Sequence, residues 1–291
     1  MRPPHGVQDL MHHNSPRVRR VTVVVLDGLR PDAIERFSLF TIARLAQRGA
    51  ATMRGRSVTP SVTAAAMATL LTGAAPERHG VQSDRFALPK SRGLVHPWPL
   101  LLGDQGFETT VLMARIPALY LTVAQGFARL LGVGETRFAG NSCREIAGDA
   151  IRVLSRQSSG VVLVHLPDAD RAGHAHGWMS PEYEQAVGRL DNALARLVRT
   201  IDLEDPRELV LVCADHGGGG ARQTAHDSAH PLDTTVPIIL AGGEVVQGDL
   251  GHDVGFADVP ATILWSLGVA IPATYAGRPL VQAFQRSEVA A

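Results

Sequence analysis

With 291 residues, 45% hydrophobic and 19% charged, the chain can bury a large core and lies far from compositions that stay unfolded. Its 28 basic and 28 acidic residues cancel, which argues against nucleic acid as a stable partner and against an anionic membrane surface. Lys90 is the sole lysine, so a lysine-based mechanism has little to draw on, and Cys143 and Cys213 are too few for a disulfide framework or a thiolate zinc site. No long uncharged apolar run marks a membrane span or a signal peptide, so a cytoplasmic protein without a membrane partner is expected.

In chain order, residues 1–17 read as a disordered lead-in and residues 18–291 as one domain. Residues 21–26, Val-Thr-Val-Val-Val-Leu, are β-branched and apolar on both faces, the signature of a buried parallel strand. Pro31 opens a helix whose apolar positions Ile34, Phe37, Ile42 and Leu45 lead to a stop at Gly49. Residues 85–106, rich in Pro and Gly, read as a surface excursion. Further strands are expected at 109–113, 161–166, 209–213 and 236–240, with helical patterns between most of them. The clearest helix spans 181–201, capped by Ser180, with Tyr183, Val187, Leu190, Leu194 and Leu197 at helical spacing. The alternation predicts an α/β fold with a mostly parallel central sheet and helices on both faces.

Ligands of such sheets bind beyond the carboxyl ends of the strands. Three strand ends carry Asp there: Asp27, the pair Asp168 and Asp170, and Asp215. Two of these loops place His close behind, as Asp170-Arg-Ala-Gly-His174 and Asp215-His216-Gly217. Carboxylate oxygen beside imidazole nitrogen suits zinc or manganese. Each element alone has an ordinary reading as turn or helix cap, and only their joint placement points to metal. The run Gly217–Gly220 lacks the Lys-Ser/Thr of a phosphate-binding P-loop and reads as a flexible loop. Thr63 opens an Ala-rich helix, where free N–H groups and the positive helix end suit a hydroxyl that receives a phosphate.

These motifs, in this order, resemble the alkaline phosphatase superfamily, and within it the type I phosphodiesterase and nucleotide pyrophosphatase branch. Asp27-Gly-Leu-Arg-Pro-Asp32, Thr63 before Thr69-Leu-Leu-Thr-Gly73, Pro76-Glu-Arg-His-Gly80, Asp170-x-x-Gly-His174 and Asp215-His-Gly217 carry the resemblance. It implies two divalent ions, zinc first and manganese second. One would be held by Asp170, His174 and His226, with His230 as the rival to His226. The other would be held by Asp27, Thr63, Asp215 and His216. Thr63 would be the catalytic nucleophile, forming a phospho- or nucleotidyl-threonine on a small phosphate ester, a diester before a monoester. The resemblance also implies an amide donor three residues after the nucleophile, where this chain has Ala66. A phosphomonoesterase, a carbon–phosphorus hydrolase and an inactive binding protein are the alternative readings. A sulfatase would need Cys/Ser-x-Pro-x-Arg, which the sequence lacks.

Overall fold

The computed structural model describes residues 16–84 and 91–284. Its elements, in chain order, are β1 (Arg20–Leu26), α1 (Pro31–Arg36), α2 (Phe40–Arg48), β2 (Ala50–Arg56), α3 (Thr63–Thr72), α4 (Pro76–His79), α5 (Trp98–Gly103), β3 (Thr109–Met113) and α6 (Ala118–Leu130). There follow β4 (Glu135–Phe138), α7 (Cys143–Leu154), β5 (Gly160–Leu166), α8 (Asp168–His176), α9 (Pro181–Val198), β6 (Glu208–Cys213), α10 (Pro231–Thr234), β7 (Thr235–Gly242), β8 (Gly248–Asp249) and α11 (Asp258–Ser266). Among the described residues no helix is long and apolar enough to cross a membrane.

The eight strands form one sheet in the order β4-β3-β5-β1-β6-β7-β2-β8. From β4 to β6 all neighbours run parallel, whereas β7 is antiparallel to both β6 and β2. The sheet is thus mostly parallel with helices packed on it, as the alternation predicts. Strand β1 lies at its centre, with Leu26 opposite Leu166 of β5 and Val25 opposite Cys213 of β6. All residues of β1, β5 and β6 are buried, which is why their runs are continuously apolar rather than alternating. The carboxyl ends of these three strands therefore meet at one place. Asp27 follows β1 directly, Asp215 follows β6 after Ala214, and Asp170 lies in the first turn of the helix after β5.

Three expectations are corrected. The single helix from Pro31 to Gly49 is two helices, broken at Ser38, where φ is 51°. The break turns Leu39 into the core and frees the amino end of α2, whose Thr41 and Ile42 N–H groups both donate to Asp191 of α9 at 3.0 Å. The stretch 85–106 is not a surface excursion in its second half. Trp98 is fully buried and its indole N–H donates to Leu70 O at 2.6 Å; residues 85–90 lie outside the described residues. Of the expected lead-in, residues 1–15 lie outside the described residues, while Arg17 is anchored, its N–H donating to Ser266 O at 2.9 Å.

Candidate metal centre

The site is built from three strand ends and one helix start. Directly after β1 the chain turns at Gly28, whose φ of +70° favours glycine and whose absent Cβ would stand 2.8 Å from the Asp170 Cα. Glycine thus lets the β1 and β5 loops touch, and the Asp170 N–H donates to Asp27 O at 3.0 Å. The Gly28 carbonyl accepts both the Trp178 indole N–H and the Tyr183 hydroxyl at 2.9 Å, which fixes the turn from behind.

Six of the seven residues expected as ligands, three carboxylates and three imidazoles, come together here, and Thr63 joins them from the first turn of α3. Asp27 Oδ1 is 3.3 Å from His216 Nε2, and Asp215 Oδ2 is 3.7 Å from the same nitrogen. Thr63 Oγ1 lies 3.0 Å from His216 Nε2. Asp170 Oδ1 lies 3.4 Å from His174 Nε2 and 3.6 Å from His226 Nε2, and the two histidine nitrogens are 3.1 Å apart. The two halves touch through stacked imidazoles, since the His216 and His226 rings lie 3.6 Å apart at 7°. His230 is elsewhere: its Nδ1 accepts the Leu232 N–H at 3.1 Å and caps α10.

Ring chemistry decides what these nitrogens offer. The Nδ1 atoms of His174, His216 and His226 face the carbonyls of Thr224, Gly217 and Ser61 at 2.9, 2.9 and 2.6 Å. A carbonyl only accepts, so each Nδ1 carries a proton and each Nε2 is left to face the carboxylates, where a ring that is neutral offers a lone pair. Lone pairs of His174 and His226 at 3.1 Å repel unless a cation or a proton lies between them. Asp27 Oδ1, Asp170 Oδ1 and Asp215 Oδ2 are buried oxygens without a hydrogen-bond donor. Such a cluster has a surplus of negative charge. Burial, together with Asp215 and Asp170, raises the Asp27 carboxyl well above the usual carboxylate range. Burial pushes His216 down, but the carboxylates of Asp215 and Asp27 outweigh it and hold its imidazolium up to about 10. These groups therefore fit a divalent cation, and Asp170 with His174 and His226 forms one set of converging donors.

His165 was not anticipated. It is the one polar side chain in the interior of β5, its Nε2 stands 3.3 Å from Asp27 Oδ2, and it converges with Asp27 and Asp215. A histidine one residue from the end of an otherwise apolar buried strand is the signal that would have found it. Trp178 is likewise new, its ring set edge-on to His174 and His226. Asp168 is not in the cluster; it accepts the Cys143 N–H at 3.0 Å. Ala66 is fully buried and its methyl group offers no hydrogen-bond donor, so the amide implied at this position is missing. The Gly217–Gly220 run is pinned rather than flexible, because the N–H groups of Gly217, Gly218 and Gly219 donate to the carbonyls of Asp233, Leu232 and Ala225. A Cβ on Gly218 would come within 2.1 Å of the Trp178 ring.

Two family models match the chain, and they share it between them. Residues 21–99 match the type I phosphodiesterase / nucleotide pyrophosphatase family, and residues 133–271 match the metalloenzyme superfamily. Each model matches less than half of the chain, and the solved structures similar to the chain share an alkaline-phosphatase-like fold. Among solved structures, it is similar to the lipoteichoic acid synthase LtaP of Listeria monocytogenes, with a TM-score of 0.69 at 16% identity over 95% of this chain and 78% of that one. It is also similar to murine ectonucleotide pyrophosphatase/phosphodiesterase 5, with a TM-score of 0.67 at 13% identity over 92% of this chain and all of that one. Both likenesses are of fold. Among curated proteins, a phosphopentomutase of Methylobacterium sp. is 34% identical over 140 residues, 48% of this chain and 32% of the mutase. Human GPI ethanolamine phosphate transferase 2, catalytic subunit, is 28% identical over 149 residues, 48% of this chain and 15% of the transferase. The chain thus spans a third or less of these two curated relatives.

Proposed function

We propose that the protein is a two-metal hydrolase of phosphate esters, with phosphodiesters as the leading substrate class and Thr63 as the nucleophile. The observation that carries this reading is the position of Thr63 Oγ1, at the amino end of α3 and 3.0 Å from His216 Nε2, beside buried carboxylate oxygens that lack partners. Asp170, His174 and His226 would hold one dication, and Asp27, Thr63, Asp215 and His216 the other, zinc before manganese. Three carboxylates against two dications leave the site at one positive charge, and loss of the Thr63 proton brings it to neutrality. Bound dications would supply Lewis-acid charge to the oxygens that enter and leave phosphorus.

The remaining work falls to the chain. The Thr63 oxygen attacks phosphorus, a new P–O bond forms, and the departing ester oxygen takes the electrons of the bond that breaks. Water then cleaves the phosphothreonine and restores the hydroxyl. The three carbonyls that hold the Nδ1 protons fix the imidazole planes, so the donor geometry exists before substrate arrives. Trp178 and Tyr183, by gripping Gly28, keep Asp27 and Asp170 in register.

Elemental analysis of protein reconstituted with zinc or manganese should find two ions per chain. Thr63→Ala should lower turnover of bis-p-nitrophenyl phosphate by roughly 10³-fold or more while the melting temperature stays near wild type. Ser61 serves as the control, because its hydroxyl already donates to the carbonyls of His226 and Ser228. Wild-type turnover in Thr63→Ala with loss in Ser61→Ala would overturn the assignment.

A further inference from the structure

Next to Thr63 the structure holds a charged group that neither ligand set uses. The Asp84 carboxylate accepts the Ala64 backbone N–H at 2.8 Å. Ala64 is the second residue of α3, so this N–H is one of the few at the helix start with no partner inside the helix. Such groups, with the positive helix end, are what would favour an anionic oxygen beside the nucleophile. Here the chain supplies an anion of its own. Asp84 is exposed, and no ion pair among the described residues offsets it. Ala66 offers no donor here, whereas Asp84 places a carboxylate on the second N–H of the helix.

We propose that Asp84 sets the charge selectivity of the site, disfavouring a dianionic phosphomonoester and leaving a singly charged phosphodiester as the accepted class. The inference rests on the reading that Thr63 attacks a phosphoryl group. A phosphoryl group bonded to Thr63 brings its outer oxygens to the start of α3, where Ala64 N–H and Asp84 lie. A monoester carries nearly two negative charges at neutral pH, because its second ionisation falls near pH 6. One of those charged oxygens would then face a carboxylate, and like charges a few ångströms apart oppose binding and transition state alike. In a diester an alkoxy group replaces one anionic oxygen, and the repulsion is correspondingly reduced. Asp84 thus discriminates by what it repels, not by what it grips.

The test uses Asp84→Asn, since asparagine keeps the oxygen that accepts the Ala64 N–H and caps a helix as well as aspartate, so that only the charge is removed. Asp84→Ser, a second capping residue, serves if the asparagine variant melts early. In the metal-loaded protein, kcat/KM for p-nitrophenyl phosphate should rise by about tenfold or more while that for bis-p-nitrophenyl phosphate changes far less. Calorimetry with inorganic phosphate, run on Thr63→Ala with and without Asp84→Asn, should show about tenfold tighter binding without the charge. An unchanged ester ratio together with unchanged phosphate affinity would overturn the proposal, as would a wild-type preference for the monoester. Full turnover in Thr63→Ala would instead remove the nucleophile reading, and the phosphate titration would still decide the role of Asp84.

Discussion

At the amino end of β1, Arg20 donates to Glu208 at 2.9 Å and to the carbonyls of Leu154 and Gln157 at 2.7 Å, so both charges of a buried pair are matched. At the carboxyl end of the same strand, Asp27 faces Asp215 and Asp170, and each of the three keeps a buried oxygen without a donor. Burial is similar at the two ends, with Arg20 at 8%, Glu208 at 5% and Asp27 at 4% exposure, so access to water does not explain the difference. What differs is completeness. A buried pair whose hydrogen bonds are all made can serve the fold, whereas a cluster left short of positive charge costs stability until something else supplies it. The first end reads as structure and the second as a place held open for cations.

The largest effect should come from supplying or withdrawing that charge. Ions bound at 1,000 times their dissociation constant stabilise a protein by about 4 kcal/mol per site. For a chain of this size each kcal/mol moves the melting temperature by roughly 2–4 °C, so chelation should lower it by roughly 8–16 °C for one site alone. Asp27→Asn, which removes one repelling charge, should melt at or above wild type in chelator and below it in excess metal. A variant that melts below wild type in both conditions would show that Asp27 serves packing and not cation binding.

At the other end the same logic predicts a loss about as large as that of one metal site, without any dependence on metal. Glu208→Ala leaves the Arg20 guanidinium buried with only its two carbonyl partners, and breaking a buried pair in this way costs about 3–5 kcal/mol. Melting curves should fall by a similar amount with and without chelator, while kcat of the metal-loaded enzyme is retained. A loss that appears only in metal would mean that the two ends are coupled through β1.

The third comparison sets His226 against His230. His226→Ala removes an imidazole that stands 3.6 Å from Asp170 and 3.1 Å from His174, and should lower the metal content of the protein. His230→Ala removes a cap on the Leu232 N–H, which is worth about 1 kcal/mol in stability and should leave the metal content unchanged. Equal metal retention in the two variants would refute the distinction.

Why one end was more readable than the other follows from the same contrast. Strand-end Asp and His residues advertise themselves because their neighbours in sequence are apolar, and the order Asp27, Thr63, Asp170, His174, Asp215, His216, His226 brings together in space what is scattered along the chain. Two short edge strands, β4 and β8, and the alternating β2 carry no such signal, because their residues are partly buried or, in β8, exposed and lack a continuous apolar run. The break between α1 and α2 escaped notice because its cap, Asp191, comes from a helix some 150 residues away, and local propensity carries no trace of it. His165 was overlooked inside a run read only for its apolar residues, and the place of Asp84 depends on how the loop before it folds back onto α3.

The smallest predicted effect tests the comparison with a pair that water partly reaches. On β4 and α7, Arg137 donates to Asp149 at 3.1 Å and to Glu135 at 2.9 Å, and Arg152 adds a second contact to Asp149. The hydrogen bond from Arg137 holds the Asp149 carboxyl below its ordinary value. A depressed folded-state pKa means that the native state prefers the ionised form. The stability it gives is therefore present above the unfolded value near 4 and is lost as pH falls through the folded value. Because water partly reaches this network and Arg152 at its rim is exposed, the whole contribution should stay near or below about 1 kcal/mol. Wild type should melt slightly above Asp149→Asn at pH 7, the gap should narrow as pH falls below about 4, and 1 M salt should shrink it at pH 7. The deficit of Glu208→Ala should not respond to salt in this way, since water and ions do not reach that pair. A gap for Asp149→Asn that survives both acid and salt would show that this partly exposed network acts through packing, and the division between matched burial and screened charge would have to be redrawn.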